Sequence, residues 1–236
     1  MTQITASDVN KLRKQTGAGM MDCKNALVEA KGDFEMAIDV LRKKGQKVAS
    51  KRSDRSATEG VVLSAVSDDK KFGAMVSVNC ETDFVAKNED FIAFAKSVLI
   101  TAISNKVDSK EKLENQFLEN STISDKLLEK TGVIGEKIEI GFYDIIEAEF
   151  VSSYVHHGNR LASLVGLNIS NENYNQVGKD LCMQVAAMNP MGLSDKDISQ
   201  DILDRELDIA KETARKEGKP KQMIGKIALG RLGKIF

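Results

Sequence analysis

Apolar side chains recur at helical spacing in three short segments at the beginning of the chain. Thr5 and Asp8 have capping-box-like spacing and precede the first segment, which ends at Gly17. The next two segments end at Gly32 and Gly45. Their apolar positions are Met20, Cys23, Leu27 and Ala30, followed by Phe34, Ala37, Ile38 and Leu41. The pattern predicts a three-helix bundle near the lower size limit for independent stability, which is more credible as an attached binding module than as a catalytic domain.

From Gly60 the pattern changes to apolar runs that are typical of β-strands. A turn at Asp68-Asp69 joins the first two runs into a predicted hairpin, and a Gly- and Asn-containing turn at 156–160 joins the last two. A second sheet is predicted to begin at Lys137. The predicted strands cover residues 61–66, 72–78, 137–150, 151–155 and 161–169.

Helical patterns separate and follow these strands. Residues 91–100 are too continuously apolar for an ordinary strand and predict a buried helix, which two polar helical stretches at 109–119 and 122–131 follow. Beyond Pro190, Ser194 is predicted to cap a helix, and Gly218-Lys219-Pro220 turns the chain into another. The apolar seams of this pair are Leu203, Leu207, Ala210 and Ala214, then Ile224, Ile227, Ala228 and Leu232. A narrow seam of this kind predicts a helical-hairpin arm.

Together these patterns predict an α+β fold with a two-lobed core of small antiparallel sheets packed with helices. The predicted parts are an N-terminal domain, a basic linker, a first core lobe, a second core lobe and the arm. They cover residues 1–45, 46–56, 57–136, 137–190 and 191–236.

Composition narrows the function classes. The 236 residues are 42% apolar, and 34 basic residues nearly cancel 35 acidic ones, so no global field favours nucleic acid or an anionic membrane. The chain start lacks a signal-peptide pattern, and no stretch approaches the roughly 20 apolar residues of a membrane span. Three widely spaced cysteines favour a reducing compartment. We therefore predict a cytoplasmic protein without cofactor or metal.

One segment departs from this charge balance. Residues 42–55 hold seven Lys or Arg residues and a single acid, Asp54. Such a block is typical of a solvated tether, and the alternative is a contact with ribosomal RNA or another phosphate. No aromatic side chain is interleaved for base stacking.

An enzymatic alternative would use Cys80 as a nucleophile with His156 or His157 as its base. No orienting acid is evident for such a pair, and the sequence contains neither a P-loop nor a metal-ligand motif. We therefore expect a protein that is not an enzyme.

Three ordered segments give the chain a family resemblance. The matching segments are Leu12-Arg13 with residues 16–24, then residues 82–88, then residues 157–160. Together with the turn at 218–220, they resemble the elongation factor Ts family in order and along nearly the whole chain. The resemblance implies a ubiquitin-associated (UBA)-like N-terminal domain, a two-lobed core and a coiled-coil arm. It also implies that the protein releases GDP from elongation factor Tu. The expected partner is elongation factor Tu in both its GDP-bound and its nucleotide-free form, and the protein itself is expected not to bind the nucleotide.

The segment Thr82-Asp83-Phe84-Val85 acquires its predicted role from this resemblance. Residue chemistry alone favours Phe84 as a core residue and Asp83 as a helix cap. The resemblance instead implies that Phe84 wedges between helices of the GTPase domain while Asp83 perturbs groups near the nucleotide's Mg²⁺.

The resemblance assigns further partner contacts outside this segment. They are Arg13, Met20 and Met21 in the N-terminal domain, and Gly135 and His157 in the second lobe. From the residues alone, the methionines could equally fill the bundle, and a histidine in a hairpin turn is more often only solvent-exposed. Arg160 is expected to support the local fold.

The end of the chain departs from the family pattern. Related chains are expected to run back after the arm and complete the second lobe, whereas this sequence stops at Phe236. A sheet that lacks an expected strand would expose an edge, which a partner or dimerisation could cover. A homodimer or a two-to-two complex is therefore among the expectations.

Overall fold

The computed structural model describes residues 4–169 and 174–235, so residues 1–3 and Phe236, which entered the predictions for the chain ends, lie outside it. Helices and small antiparallel sheets confirm the α+β class. The helices are α1 (Ala6–Thr16), α2 (Met20–Glu29), α3 (Phe34–Arg52), α4 (Asp83–Ala86), α5 (Glu89–Ser104), α6 (Lys110–Glu114), α7 (Ile123–Ile134), α8 (Tyr174–Met188), α9 (Gln200–Lys216) and α10 (Ile224–Ile235). The strands are β1 (Glu59–Val66), β2 (Phe72–Cys80), β3 (Phe117–Leu118), β4 (Ser121–Thr122), β5 (Glu139–Glu147), β6 (Phe150–Val155) and β7 (Ala162–Leu167). Contacts divide the chain into two compact units, Met1–Ala186 and Ala187–Phe236.

The first three helices form the predicted N-terminal bundle. Thr5 accepts a hydrogen bond from the backbone N–H of Asp8, and the Asp8 carboxylate accepts one from the backbone of Thr5, which confirms the capping box. Gly17 ends α1 with a positive φ of 71°, a conformation that glycine adopts without steric cost. Leu12, Cys23 and Leu27 are fully buried between these helices.

The predicted end of the third helix at Gly45 is wrong. Helix α3 continues to Arg52, so much of the predicted basic linker, residues 46–56, is helical. Gly45 is buried where α3 crosses α7, and a Cβ added to Gly132 of α7 would lie only 2.4 Å from the Gly45 Cα. Gly45 therefore permits a close helix crossing, and tertiary packing offsets its low helix propensity.

The assignment of residues 137–150 to a second sheet is also wrong. Strand β5 pairs antiparallel with β2 and gives a three-stranded sheet in the order β1-β2-β5. The central strand β2 is buried at nearly every second position and needs a partner along both edges. The register shifts at a bulge between Ser77 and Val78.

Helices cover this sheet and complete the main core. Helix α5 packs against β1 and β2, which confirms the predicted buried helix, and Phe91 and Val98 point into the core beside Val76, Val78 and Ile140. Helix α7 confirms the second predicted polar helix. Helix α6 covers only Lys110–Glu114 of the first predicted stretch, because Phe117–Leu118 form the short strand β3, which pairs with β4.

Strands β6 and β7 form a separate hairpin and confirm the turn predicted at 156–160. Helix α8, whose bounds the sequence pattern left undefined, packs on this hairpin. The Ser163 hydroxyl donates to the Cys182 carbonyl at 2.7 Å. A Cβ on Gly178 would meet Ser152 and Phe150 at 2.8 to 3.0 Å, so glycine is required for this close approach.

In the second unit, α9 and α10 pack against each other as a helical hairpin. Gly218, with a φ of 73°, forms the predicted turn between them. The prediction that Ser194 caps the first helix is wrong, because Ser194 precedes a single 3₁₀ turn, Asp195–Asp197, and α9 begins after Ser199. Across residues 4–169 and 174–235, none of the helices has the length and apolarity to span a membrane.

Candidate functional site

The segment 82–88 connects the end of β2 to α5 through the four-residue helix α4. Asn88 caps α5, since its side-chain oxygen accepts from the backbone N–H groups of Asp90 at 2.9 Å and Phe91 at 3.2 Å. Thr82 occupies the N-cap position of α4, but its side chain makes no hydrogen bond to that helix. The local sequence therefore determines where α5 begins. It does not show which contacts hold α4 in place.

The expectation from residue chemistry that Phe84 belongs to the core is wrong. Its side chain is 83% exposed, whereas the neighbouring Ala86 is buried and Val85 packs partly against the main core. Helix α4 is thus anchored by its inner residues and presents a phenyl ring to solvent. An exposed phenyl ring on an anchored helix is available for contact with a partner.

The expectation that Asp83 caps a helix is also wrong, because Asp83 is the first residue of α4. Its carboxylate accepts a hydrogen bond from the Lys87 ammonium at 2.6 Å, one turn further along. This bond and the charge of Lys87 lower the pKa of Asp83, and the charge of Arg160 lowers it further. The site therefore presents an ionised carboxylate beside the exposed phenyl ring.

Two carboxylates that the sequence analysis missed hold the start of this segment. Glu136 accepts hydrogen bonds from the backbone N–H groups of Glu81 and Thr82, and from the Thr82 hydroxyl. Glu81 accepts from the Lys137 backbone and from Arg52 at the end of α3. Glu81 and Glu136 are 55 positions apart in the sequence. No local sequence pattern indicates that these two glutamates lie together.

These contacts hold the pKa of Glu81 at about 2. The hydrogen bond from the Lys137 backbone is the largest cause, followed by the one from Arg52. Arg55 adds an ion pair with the same carboxylate at 3.1 Å, and Lys44 pairs with Asp22. Three of the seven cations in residues 42–55 are thus engaged within the protein, which leaves fewer for the RNA contact considered from sequence.

A cavity of about 330 Å³ lies beside α4. Phe84 and Val85 line one side, Val133 of α7 lines another, and Thr16 and Gly17 at the end of α1 contribute from the N-terminal bundle. The structure therefore brings the bundle next to the 82–85 segment.

The predicted contacts in the N-terminal bundle are exposed. Met20 and Met21, at the start of α2, are 57% and 63% exposed, and Arg13, near the end of α1, is exposed as well. The alternative that these methionines fill the bundle is wrong. Flexible thioether side chains at a surface can adapt to a partner.

The two predicted contacts of the second lobe lie in turns. Gly135 ends α7 with a φ of 80° and has open space around it, and His157 is exposed at the tip of the β6–β7 hairpin. The same tip meets β1, where the Val62 N–H donates to the Asn159 carbonyl at 2.7 Å and Arg160 pairs with Glu59. The Arg160 side chain is 65% exposed, and because exposed ion pairs stabilise little, its expected role in the local fold stays a prediction.

The geometry opposes the enzymatic alternative. Cys80 is fully buried, and its thiol donates to the Thr82 carbonyl at 3.2 Å. Burial, with a smaller effect of the Glu136 charge, raises the pKa of Cys80 to about 11, so the nucleophilic thiolate is disfavoured. Among the residues that the structure describes, no group of three His, Cys, Asp or Glu side chains is placed to hold a metal ion.

The amino-acid sequence matches a family of known proteins. Residues 81–236 match the family model described as "Elongation factor TS". Proteins named "Elongation factor Ts" from Christiangramia forsetii and Flavobacterium psychrophilum are 52% and 48% identical over 236 residues, which is 100% of this chain and 85% of each relative. The protein of that name from Porphyromonas gingivalis is 47% identical over 234 residues, 99% of this chain and 84% of its own. The 82–85 segment with its exposed Phe84 thus lies within the matched region, and the chain belongs to the elongation factor Ts family.

Proposed function

We propose that this protein is a translation elongation factor that binds elongation factor Tu·GDP and promotes the release of GDP, so that GTP can bind in its place. The activity is exchange of a bound ligand, and no covalent bond is formed or broken. The observation that carries the proposal is Phe84, a phenyl ring that the fold holds in solvent on a short, anchored helix.

In this mechanism Phe84 enters between helices of the GTPase domain and separates the apolar side chains there. The ionised Asp83 is delivered with it and disturbs groups around the Mg²⁺ ion. Nucleotide phosphates are held by a loop, a lysine and the metal together, so a small displacement weakens several charge-assisted contacts at once.

Exchange also requires a thermodynamic balance. If the factor weakens nucleotide binding by a given ratio, then the nucleotide weakens binding of the factor by the same ratio. Each tenfold weakening corresponds to about 1.4 kcal/mol. Contacts other than the wedge must therefore stabilise the complex with the nucleotide-free GTPase.

We assign those supporting contacts to Arg13, Met20 and Met21 in a UBA-like N-terminal domain, and to Gly135 and His157 in the second lobe. The exposure of the methionines and of His157 supports this assignment. The cavity beside α4 supports it too, because the bundle and Phe84 border the same space. The helical hairpin is proposed to act as a coiled-coil arm, and the complex to contain one or two copies of each partner.

Stopped-flow release of a fluorescent GDP from elongation factor Tu tests the proposal. The intact chain should accelerate release. Phe84→Ala should slow the accelerated release by about 30-fold, a typical effect for removing an aromatic hot spot. Asp83→Ala and the double substitution should also reduce it. Because Phe84 is exposed, the free energy of unfolding of Phe84→Ala should stay within about 0.5 kcal/mol of the intact value.

Phe117→Ala is a matched control, since Phe117 is a second exposed phenylalanine, 68% accessible on β3. It should release GDP as fast as the intact chain. If the folded intact chain leaves GDP release unchanged, the proposed function is refuted. If Phe84→Ala and Phe117→Ala behave alike, the wedge role is refuted.

A further inference from the structure

We propose that Glu136 is a positioning residue for nucleotide release, because its carboxylate holds the backbone of residues 81 and 82 and thereby aims Phe84 at the partner. The inference rests on the exchange function proposed above. Glu136 does not itself belong to the wedge, since it lies in the turn between α7 and β5.

Both oxygens of Glu136 are used on one short stretch of chain. Oε2 accepts from the backbone N–H groups of Glu81 and Thr82, at 3.0 Å each, and Oε1 accepts from the Thr82 hydroxyl at 2.7 Å. Hydrogen bonds to an ionised acceptor are about twice as strong as neutral ones. Because the Thr82 hydroxyl donates to Glu136, the entry to α4 is fixed from outside that helix.

A second carboxylate makes the reverse connection. Glu81, whose side chain is only 14% exposed, accepts from the Lys137 backbone N–H at 2.7 Å and from Arg52 Nη1 at 2.7 Å. Residues 81–82 and 136–137 thus each supply a carboxylate to the backbone of the other. Arg52 ties this paired turn to the end of α3.

The paired turn matters because α4 is too short to hold its own shape. A single helical turn is unfavourable in isolation, since the first hydrogen bond fixes several backbone dihedrals at once. Val85 and Ala86 anchor only the inner face of α4. The exposed Phe84 side chain adds no packing that would hold the helix in place. The three hydrogen bonds to Glu136 supply the orientation in the free protein, and a preorganised wedge loses less entropy on insertion.

The local turn explains why a glutamate at position 136 can reach this backbone. Gly135 ends α7 in the left-handed region, and its N–H donates to the Thr131 carbonyl at 2.9 Å, so the chain turns sharply there. Glu136 is the next residue and therefore faces the end of β2. The glycine that the family resemblance marks as a contact has a second role as the pivot for Glu136.

The test measures the GDP-release rate from elongation factor Tu at increasing concentrations of the factor, which separates the maximal rate from the half-saturating concentration. Glu136→Gln keeps the side-chain shape but removes the negative charge and leaves one acceptor oxygen, so the two backbone N–H groups and the Thr82 hydroxyl can no longer all donate to it as they do to the carboxylate. We expect the maximal rate to fall about tenfold while the half-saturating concentration changes less than about twofold, as other contacts dock the factor. Thr82→Val, which removes only the hydroxyl contact, should lower the maximal rate about fivefold.

Glu149→Gln is the matched control, because Glu149 makes only an exposed ion pair with Lys71. It should match the intact chain. A positioning role also requires non-additivity: in the Phe84→Ala background, Glu136→Gln should cause little further loss, since the group it aims is gone. A general loss of structure would not depend on Phe84.

The outcomes separate this inference from the proposed function. If the intact chain accelerates release and Phe84→Ala slows the accelerated release by about 30-fold, the proposed function holds. A Glu136→Gln maximal rate equal to the intact rate, or a full tenfold loss that persists in the Phe84→Ala background, then overturns the positioning role. If Glu136→Gln does not fold, Thr82→Val is the second measurement, and a rate equal to the intact rate, or a fall that persists in the Phe84→Ala background, overturns the positioning role.

Discussion

The crossing of α3 and α7 should respond unequally to the same substitution at its two glycines. A Cβ on Gly132 would lie 2.4 Å from the Gly45 Cα, whereas a Cβ on Gly45 would lie 3.5 Å from the Gly132 Cα. Carbon atoms in contact prefer about 3.5 to 4.0 Å. Gly45→Ala therefore fits in place, and Gly132→Ala must separate the helices by about 1 Å.

The expected stabilities follow from two opposing effects. Replacing a mid-helix glycine with alanine stabilises a helix by about 0.5–1 kcal/mol. Gly45→Ala should show that gain. Gly132→Ala gains a similar amount, but overpacking a filled contact costs about 1–3 kcal/mol. We expect Gly132→Ala to be less stable than Gly45→Ala by about 2 kcal/mol.

Urea unfolding followed by circular dichroism at the helix band measures this difference. With a slope of about 2 kcal/mol per molar urea, the two midpoints should differ by about 1 M. Equal midpoints would refute the close crossing. The crossing also joins the N-terminal bundle to the helix that ends beside Glu136, so Gly132→Ala should weaken binding to elongation factor Tu more than Gly45→Ala does.

Three further outcomes are expected. Glu81 has a folded-state pKa of about 2 against an ordinary value of 4.5, so its stabilising effect is complete above pH 4.5 and is lost as the pH falls towards 2. The urea midpoints of Glu81→Gln and of the intact chain should therefore converge as the pH falls through that range. The three cysteines are buried and free, so they should react with a thiol reagent only as fast as the chain opens or unfolds. Met20→Gln combined with Met21→Gln should raise the dissociation constant for elongation factor Tu about tenfold, as titration calorimetry would measure, without lowering the melting temperature.

The parts of the fold that depend on neighbouring residues were predictable from the sequence. The Thr5–Asp8 capping box, the two hairpin turns and the turn at Gly218 each follow from residues that touch their near neighbours. The errors arise where distant segments meet. Gly45 has the local chemistry of a helix end, but its contact with Gly132 makes it a crossing point instead.

The placement of β5 failed for the same reason. Its apolar alternation marks a strand, and nothing in residues 139–147 states which sheet it joins. The choice is made by β2, whose two edges both need partners, and β2 lies about 65 residues earlier in the chain. The sequence of residues 139–147 therefore predicts a strand. The unpaired edge of the buried central strand β2 decides which strand β5 pairs with.

In the 82–85 segment, the motif supplies the side chains, and residues outside the motif fix their orientation. Residue chemistry placed Phe84 in the core because burial stabilises a phenyl ring by about 1.5–3 kcal/mol, and the fold forgoes that gain at this position. A side chain left exposed at such a cost is informative only if its direction is fixed. The residues that fix it, Glu136 above all, lie outside the motif and carry no local signal. A search for the motif alone would find the proposed wedge, and only the folded chain identifies the residue proposed to aim it.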